Sequence, residues 1–253
     1  MTRIADKLLP QVGFGLLLLV WEAAGRYLGN ALLAPPSSVA ITYVELLAEG
    51  SMLTELFTSL RQMMIGFLLA CVIGMPVGVA MGRSRIADAM LRPWVSMFVV
   101  TSTAALIPVL ILLLGTGLAL RSTVVFLASV WYIVLTTYNG AKGVSPSLVA
   151  TARSFSASGF QIFWKVILPS IYPYLITGAR IGLVHAIRAM VMAELFVIVG
   201  YGGLIHRTGL QVDTSALLSL LLTLMFVSLL ANWTLFQAGR LLAPWYEQQG
   251  NQT

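Results

Sequence analysis

Four ionisable residues, Arg180, His185, Arg188 and Glu194, sit inside one long apolar stretch running from about Ile171 to Val199. Charge is expensive in hydrocarbon, so such residues normally face protein or water and mark ion or solute paths. At about 100° per residue His185 and Arg188 share a helical face, Arg180 lies about 80° from Arg188, and Glu194 points about 120° away. Two readings follow. The three basic residues line a translocation path for an anionic solute, or they are buried anchors, with Glu194 paired to a cation on another helix. Elsewhere no acid–base pair, nucleophile elbow or metal-ligand cluster stands out, so the chain carries no catalytic residue and no metal site of its own. Cys71 is the only cysteine, which excludes an intrachain disulfide. Lys7, Lys142 and Lys165 are the only lysines, and they precede Leu, Gly and Val. A Gly-Lys-Ser/Thr phosphate loop is therefore absent, and ATP cannot be cradled here in the usual way. His206, beside Arg207 after Gly202-Gly203, reads as a solvated surface histidine and not as a metal ligand. These residue types can hold or pass a charged solute but not transform one.

The elements that position them are membrane spans. Of 253 residues 58% are hydrophobic and 9% charged, against about a quarter charged in soluble domains. Mean hydropathy is +0.91. Intervals between charges outline six apolar segments: Pro10 to Leu28 (interrupted by Glu22), Gln62 to Gly82, Arg92 to Arg121, Arg121 to Lys142, Ile171 to Val199 and Thr214 to Gly239. Each is too long and continuous for a barrel strand, which leaves helices as the way to satisfy the backbone in lipid. The expected fold is an all-α integral membrane domain of six transmembrane helices occupying residues 1–253, with its core over about 58–240. The basic N-terminus resembles a signal peptide, but no small-residue cleavage site follows, so it reads as an uncleaved first span. Arg3, Lys7, Arg83, Arg85, Arg92, Lys142, Arg153, Lys165 and Arg240 fall on one set of loops, and Arg26, Arg61, Arg121 and Arg207 on the other. The positive-inside rule then places both termini in the cytoplasm. The net charge of +6 is spread singly between spans, which explains it by topology rather than by a nucleic-acid partner.

Between the first two spans, Ala34-Pro35-Pro36-Ser37-Ser38-Val39 reads as a break. Ser37 or Ser38 would then cap a short helix reaching Glu49, its apolar face (Val39, Tyr43, Leu46, Leu47) lying on the membrane surface or the bundle. Small residues recur every fourth position at Gly66, Ala70, Gly74, Gly78 and Gly82, and again at Gly178, Gly182 and Ala186. Such stripes let helix backbones approach closely, within one bundle or across a dimer seam. Pro76 and Pro108 predict kinks. Asn232 and Trp233 read as packing or anchoring residues, and Trp21, Trp94 and Trp245 as interfacial aromatics.

The segment from Asn139 to about Tyr172 (139–172) is more than a connector. Ser145 is a good N-cap and Pro146 suits the first helical position. Leu148, Val149, Ala152 and Phe155 follow at helical spacing. Ser156-Ala157-Ser158-Gly159 breaks that helix, and a second from Phe160 to Leu168 stops at Pro169. Helix, small-residue turn and helix make a compact cytoplasmic knob suited to a docking partner, or to packing on the protein's own helices.

This segment resembles the signature of binding-protein-dependent ABC importer permeases: Glu-Ala-Ala, three residues, Gly, nine residues, then Ile-x-Leu-Pro. In register, Ala150-Thr151-Ala152 takes the triplet, Ser156 the glycine, and Val166, Leu168 and Pro169 close the motif. Arg153, Phe155, Ala157, Ser158, Pro173, Gly178, Arg180, Glu194, the APPSSV stretch and the later Gly-Tyr-Gly-Gly-Leu (200–204) are similar to the sulfonate, taurine and nitrate branch. The resemblance covers about Pro35 to Arg240. It implies a type I importer fold in the bacterial inner membrane, a second permease copy, two ABC ATPase subunits that carry ATP and Mg, and an extracytoplasmic solute-binding protein. It also implies that 139–172 is the coupling loop, with Arg153, Phe155, Ser156, Ala157, Ser158, Gly159 and Pro169 at the ATPase contact. Glu194, Gly74, Gly78 and Gly82 take structural or gating roles. Two departures stand out. Ala150 replaces the motif's acid, removing a salt-bridge partner, and Ser156 replaces its glycine, leaving Gly159 to supply left-handed freedom at the turn. The competing class, an ion-coupled secondary carrier or channel, would need more spans or an inverted repeat with paired broken helices.

Overall fold

The computed structural model describes residues 2–29 and 32–242, so Trp245 lies outside the described residues. Among these, every regular element is helical: α1 (Thr2–Leu28), α2 (Pro36–Glu49), α3 (Ser51–Arg83), α4 (Arg85–Val100), α5 (Thr103–Leu114), α6 (Leu118–Lys142), α7 (Pro146–Ser154), α8 (Gly159–Ile162), a π-helical turn (Phe163–Ile167), α9 (Leu168–Val197), α10 (Gly200–Leu210) and α11 (Thr214–Leu242). By length and composition α3, α6 and α11 can each cross a membrane, and two broken helix pairs raise the number to as many as five among the described residues.

One of those pairs corrects the expectation of a single helix between Arg92 and Arg121. That segment is two helices, α4 and α5, meeting at 100°. The break falls at Thr101-Ser102, not at Pro108, which stays inside α5. Thr101 is extended, and its hydroxyl donates to the Met97 carbonyl at 2.8 Å. The same hydroxyl-to-carbonyl bond lies inside unbroken helix at Thr136 and Thr177, so it accompanies the break without causing it.

The chain's internal packing divides into two compact units, Met1–Thr58 with Val197–Val227 and Ser59–Phe196 with Ser228–Thr253. In the first, the carboxylate of Glu22, the charge that interrupts the first span, accepts from the Ser37 amide at 3.1 Å and the Ser37 hydroxyl at 2.8 Å. It also accepts from Arg26 at 2.7 Å. The N-cap position of α2 is Pro35, with no side-chain cap bond of its own. Because Pro36 has no amide hydrogen, Ser37 carries the first orphan donor, and α1 supplies its acceptor. Val39 is buried, and its carbonyl accepts from the Ser219 hydroxyl at 3.0 Å. The apolar face of α2 is thus seated on its own unit. At the start of α10, Ile198 and Gly200 are left-handed (φ 59° and 63°). A Cβ on Gly203 would lie 2.7 Å from the Ile198 carbonyl carbon.

In the second unit α6 is the centre, buried on most of its circumference. Both small-residue stripes close on it. A Cβ added to Gly66 would strike the Ser122 carbonyl, and one on Gly78 would lie 2.6 Å from the Val134 carbonyl. On α9, a Cβ on Gly182 would come within 2.7 Å of Ile133. The stripes are seams within one chain.

Candidate functional site

The Asn139–Tyr172 segment forms a knob, with boundaries that differ from those expected. α6 continues through Lys142, and the second helix does not stop at Pro169. It passes through the π turn, where the Leu168 amide donates to the Phe163 carbonyl, straight into α9. Proline inside an α-helix clashes with the carbonyl four residues back. The wider π turn just before Pro169 removes that conflict, and the helix continues.

The turn between α7 and α8 is made by Ser156 itself, with φ 56°; Gly159 instead opens α8 in a non-left-handed conformation. The Ala157 amide donates to the Ala152 carbonyl at 3.2 Å and the Ser156 amide to the Arg153 carbonyl at 2.9 Å. That pair of bonds is a Schellman motif, whose left-handed position favours glycine. Ser145 is the expected N-cap by position, yet its hydroxyl bonds that of Ser147 at 2.7 Å. A capping box absent from the expectations closes the turn: Ser158 accepts from the Gln161 amide, and Gln161 Oε1 accepts from the Ser158 amide at 2.9 Å. The Ser-x-x-Gln spacing was its sequence signal.

Beneath the turn, Ala141, Val144, Val149, Ile162, Ile167 and Ile171 form one buried apolar cluster. Above it, Phe155 is 81% exposed, Phe160 73% and Trp164 53%. Phe160 and Phe163 flank Trp164 with ring centroids 6.0 and 5.8 Å away. Arg153 and Lys165 are exposed beside them. The element presents large apolar groups and cations outward over a packed apolar base.

The α9 charges separate. Arg180 Nε donates to Asn232 Oδ1 at 3.0 Å, and its guanidinium lies 4.9 Å from the Phe236 ring centroid. It ties α9 to α11. His185 stacks on Tyr132 of α6, ring centroids 3.7 Å apart and planes 11° from parallel. Arg188, one turn on, is exposed, and Glu194 is 1% exposed. The basic trio is therefore split, with Arg180 engaged and only His185 and Arg188 left on a common side.

His185 opens onto a feature that sequence reasoning missed. A cavity of about 260 Å³ lies at the α4–α5 break, lined among others by Val99, Thr101, Ser102, Thr103 and Tyr132. The Thr-Ser-Thr run inside an apolar segment was the available signal. At the other end of α4 an open cleft of about 510 Å³ is lined by Arg85, Asp88, Arg92 and Ser96. There Tyr138 donates to Asp88 Oδ2 at 3.1 Å and Lys142 donates to Tyr138 Oη at 2.7 Å, tying α4 to the end of α6 beside the knob.

This arrangement has relatives. The family described as binding-protein-dependent transport system inner membrane component matches residues 70–248. The chain belongs to that family. It is 34% identical over 245 residues, 95% of this chain and 98% of the relative, to a probable ABC transporter permease protein of Brucella abortus (strain 2308). It is 27% identical over 238 residues, 91% of this chain and 86% of the relative, to the taurine transport system permease protein TauC of Escherichia coli (strain K12). A chain of the MetNI methionine ABC transporter in an inward-facing conformation shares the fold, with TM-score 0.67 and 21% identity over 76% of this chain and 96% of that one. The protein is thus a multi-pass inner-membrane ABC permease, a non-catalytic class of transporter subunit.

Proposed function

We propose that two copies of this permease form the translocation path of an importer for a small organic or inorganic anion such as a sulfonate, taurine or nitrate. Two ABC ATPase subunits, holding ATP and Mg, dock on 139–172, and an extracytoplasmic solute-binding protein delivers the solute. The whole chain, 1–253, is one permease domain that crosses the bilayer six times with both termini in the cytoplasm. The observation that carries this reading is the knob: Phe155, Phe160 and Trp164 exposed over a packed apolar base. Exposed aromatics on a firm support are the usual anchors of an interface. Phe155 fills a groove on the ATPase, with Arg153, Ser156, Ala157, Ser158 and Gly159 around it, and Pro169 marks where the docked element joins α9. The taurine name of one relative and the pair His185 and Arg188 support an anionic or zwitterionic solute. Glu194 and the glycines Gly74, Gly78 and Gly82 serve as scaffold.

Co-purification tests the docking. Phe155→Ala is expected to cut recovery of the ATPase with the permease, and solute-stimulated ATP hydrolysis, by about 30-fold, corresponding to a hot spot of about 2 kcal/mol. Undiminished recovery and hydrolysis would remove Phe155 from the interface.

A further inference from the structure

We propose that the cavity at the α4–α5 break is a transient binding site for a compact oxyanion, with Ser102, Thr103 and His185 as its donors. The inference rests on the proposed role in anion import and assigns it a place in the chain. Four observations carry it.

First, the cavity exists because an apolar segment is broken by 100° at Thr101-Ser102. Non-helical backbone at membrane depth is tolerated where it is buried in protein or lines a water-filled space. α4 has 16 residues, which at 1.5 Å per residue puts the break about 24 Å from the Arg85 end. Second, the hydroxyls differ in their commitments. That of Thr101 is bonded to the Met97 carbonyl at 2.8 Å, whereas that of Ser102, the N-cap of α5, makes no cap bond. Ser102 and Thr103 both line the cavity. Third, His185 is held flat against Tyr132 at 3.7 Å, so its ring has a fixed orientation at the cavity wall. The Tyr132 hydroxyl reaches the Val99 carbonyl at 3.5 Å, which fastens this platform to α4. Fourth, the lining described contains no carboxylate, and Arg188 follows His185 by one helical turn.

Size and charge then define the ligand. About 260 Å³ is just below the range of about 300–1,000 Å³ typical of small-molecule pockets. Nitrate or a two-carbon sulfonate fits within that volume, and a peptide does not. Hydroxyl and imidazole donors bind an oxyanion through several hydrogen bonds without the grip of a full ion pair. That strength suits a waypoint, where a solute must both enter and leave.

The test uses the assembled complex of permease, ATPase and binding protein. With Cys71→Ala removing the native thiol, Ser102→Cys is modified with anionic and cationic methanethiosulfonates, each rate divided by that of the reagent with a free thiol. The anionic reagent should be favoured about fivefold or more by local potential, and nitrate or ethanesulfonate should slow its reaction. Thr103→Val and His185→Phe, which keep volume and stacking, should each lower ATP-driven uptake of these anions about tenfold per assembled complex, the effect of about 1.4 kcal/mol. Equal corrected rates with no protection by either anion, or undiminished uptake in both variants, would overturn the site. A wild-type complex that hydrolyses ATP but imports neither anion would instead overturn the anion reading on which it rests.

Discussion

At the knob, large apolar side chains face outward over an apolar base, with Phe155 81% and Phe160 73% exposed. At the α4–α5 break the order is reversed: hydroxyls and an imidazole gather around a cavity inside apolar helices. The two regions share a support, because Ala141 of α6 belongs to the cluster under the knob and Tyr132 of the same helix carries His185 at the cavity. Under the functions proposed above, the difference separates two tasks. A surface that must be gripped displays hydrophobic groups and is held from beneath, whereas a passage for a hydrated solute spends polar groups where lipid would forbid them.

Substitutions can break or sharpen this contrast. The largest effect is expected where the two regions have a common root. Gly78→Leu would drive a side chain into the Val134 carbonyl, 2.6 Å from the Cβ position. A loss of about 3 kcal/mol or more is expected from overpacking this seam, seen as a lower thermal midpoint and poor recovery of folded protein. Wild-type recovery and midpoint would show that the seam can part without harm to either region. Next, Arg180→Ala removes the bond to Asn232 and the stacking on Phe236. It should destabilise the permease by about 1–3 kcal/mol while leaving the solute preference of the stable fraction unchanged; a changed preference would return Arg180 to the path. Third, Arg188→Gln should lower anion uptake about tenfold with dimer assembly intact, as a residue of the passage and not of the scaffold. Unchanged uptake excludes it. The smallest effect belongs to the knob's turn. Ser156→Gly relieves a left-handed residue at φ 56° and should stabilise the chain by about 1 kcal/mol. No gain in thermal midpoint would show that the capping box next to it already carries the turn.

Much of this was legible from the residues alone. Helices fill all six apolar intervals, and the small-residue stripes anticipate close helix approach, because both signals are local and periodic. α2 ends at Glu49, as expected, with left-handed Gly50 beyond it. What escaped the sequence depended on partners distant along the chain or on competition between local bonds. Glu22 looks like a flaw in a span until Ser37 arrives 15 residues later to donate to it. Pro169 looks like a stop unless the preceding turn widens. Thr101 and Ser102 look tolerable within a helix, yet the chain turns by 100° at them. At the candidate site, His185 and Arg188 could be paired from spacing. The capture of Arg180 by α11, however, needs Asn232, 52 residues on.

The π turn has a mechanical meaning. Because Pro169 does not interrupt it, helix runs unbroken from Gly159 to Val197, about 58 Å of axis at 1.5 Å per residue. One end lies in the knob and His185 sits about two-thirds of the way along. Such a piece joins the knob to the Tyr132–His185 stack through one continuous helix, in which the π turn and Pro173 are the places of altered backbone bonding; a tilt of a few degrees about either would displace the far end by ångströms.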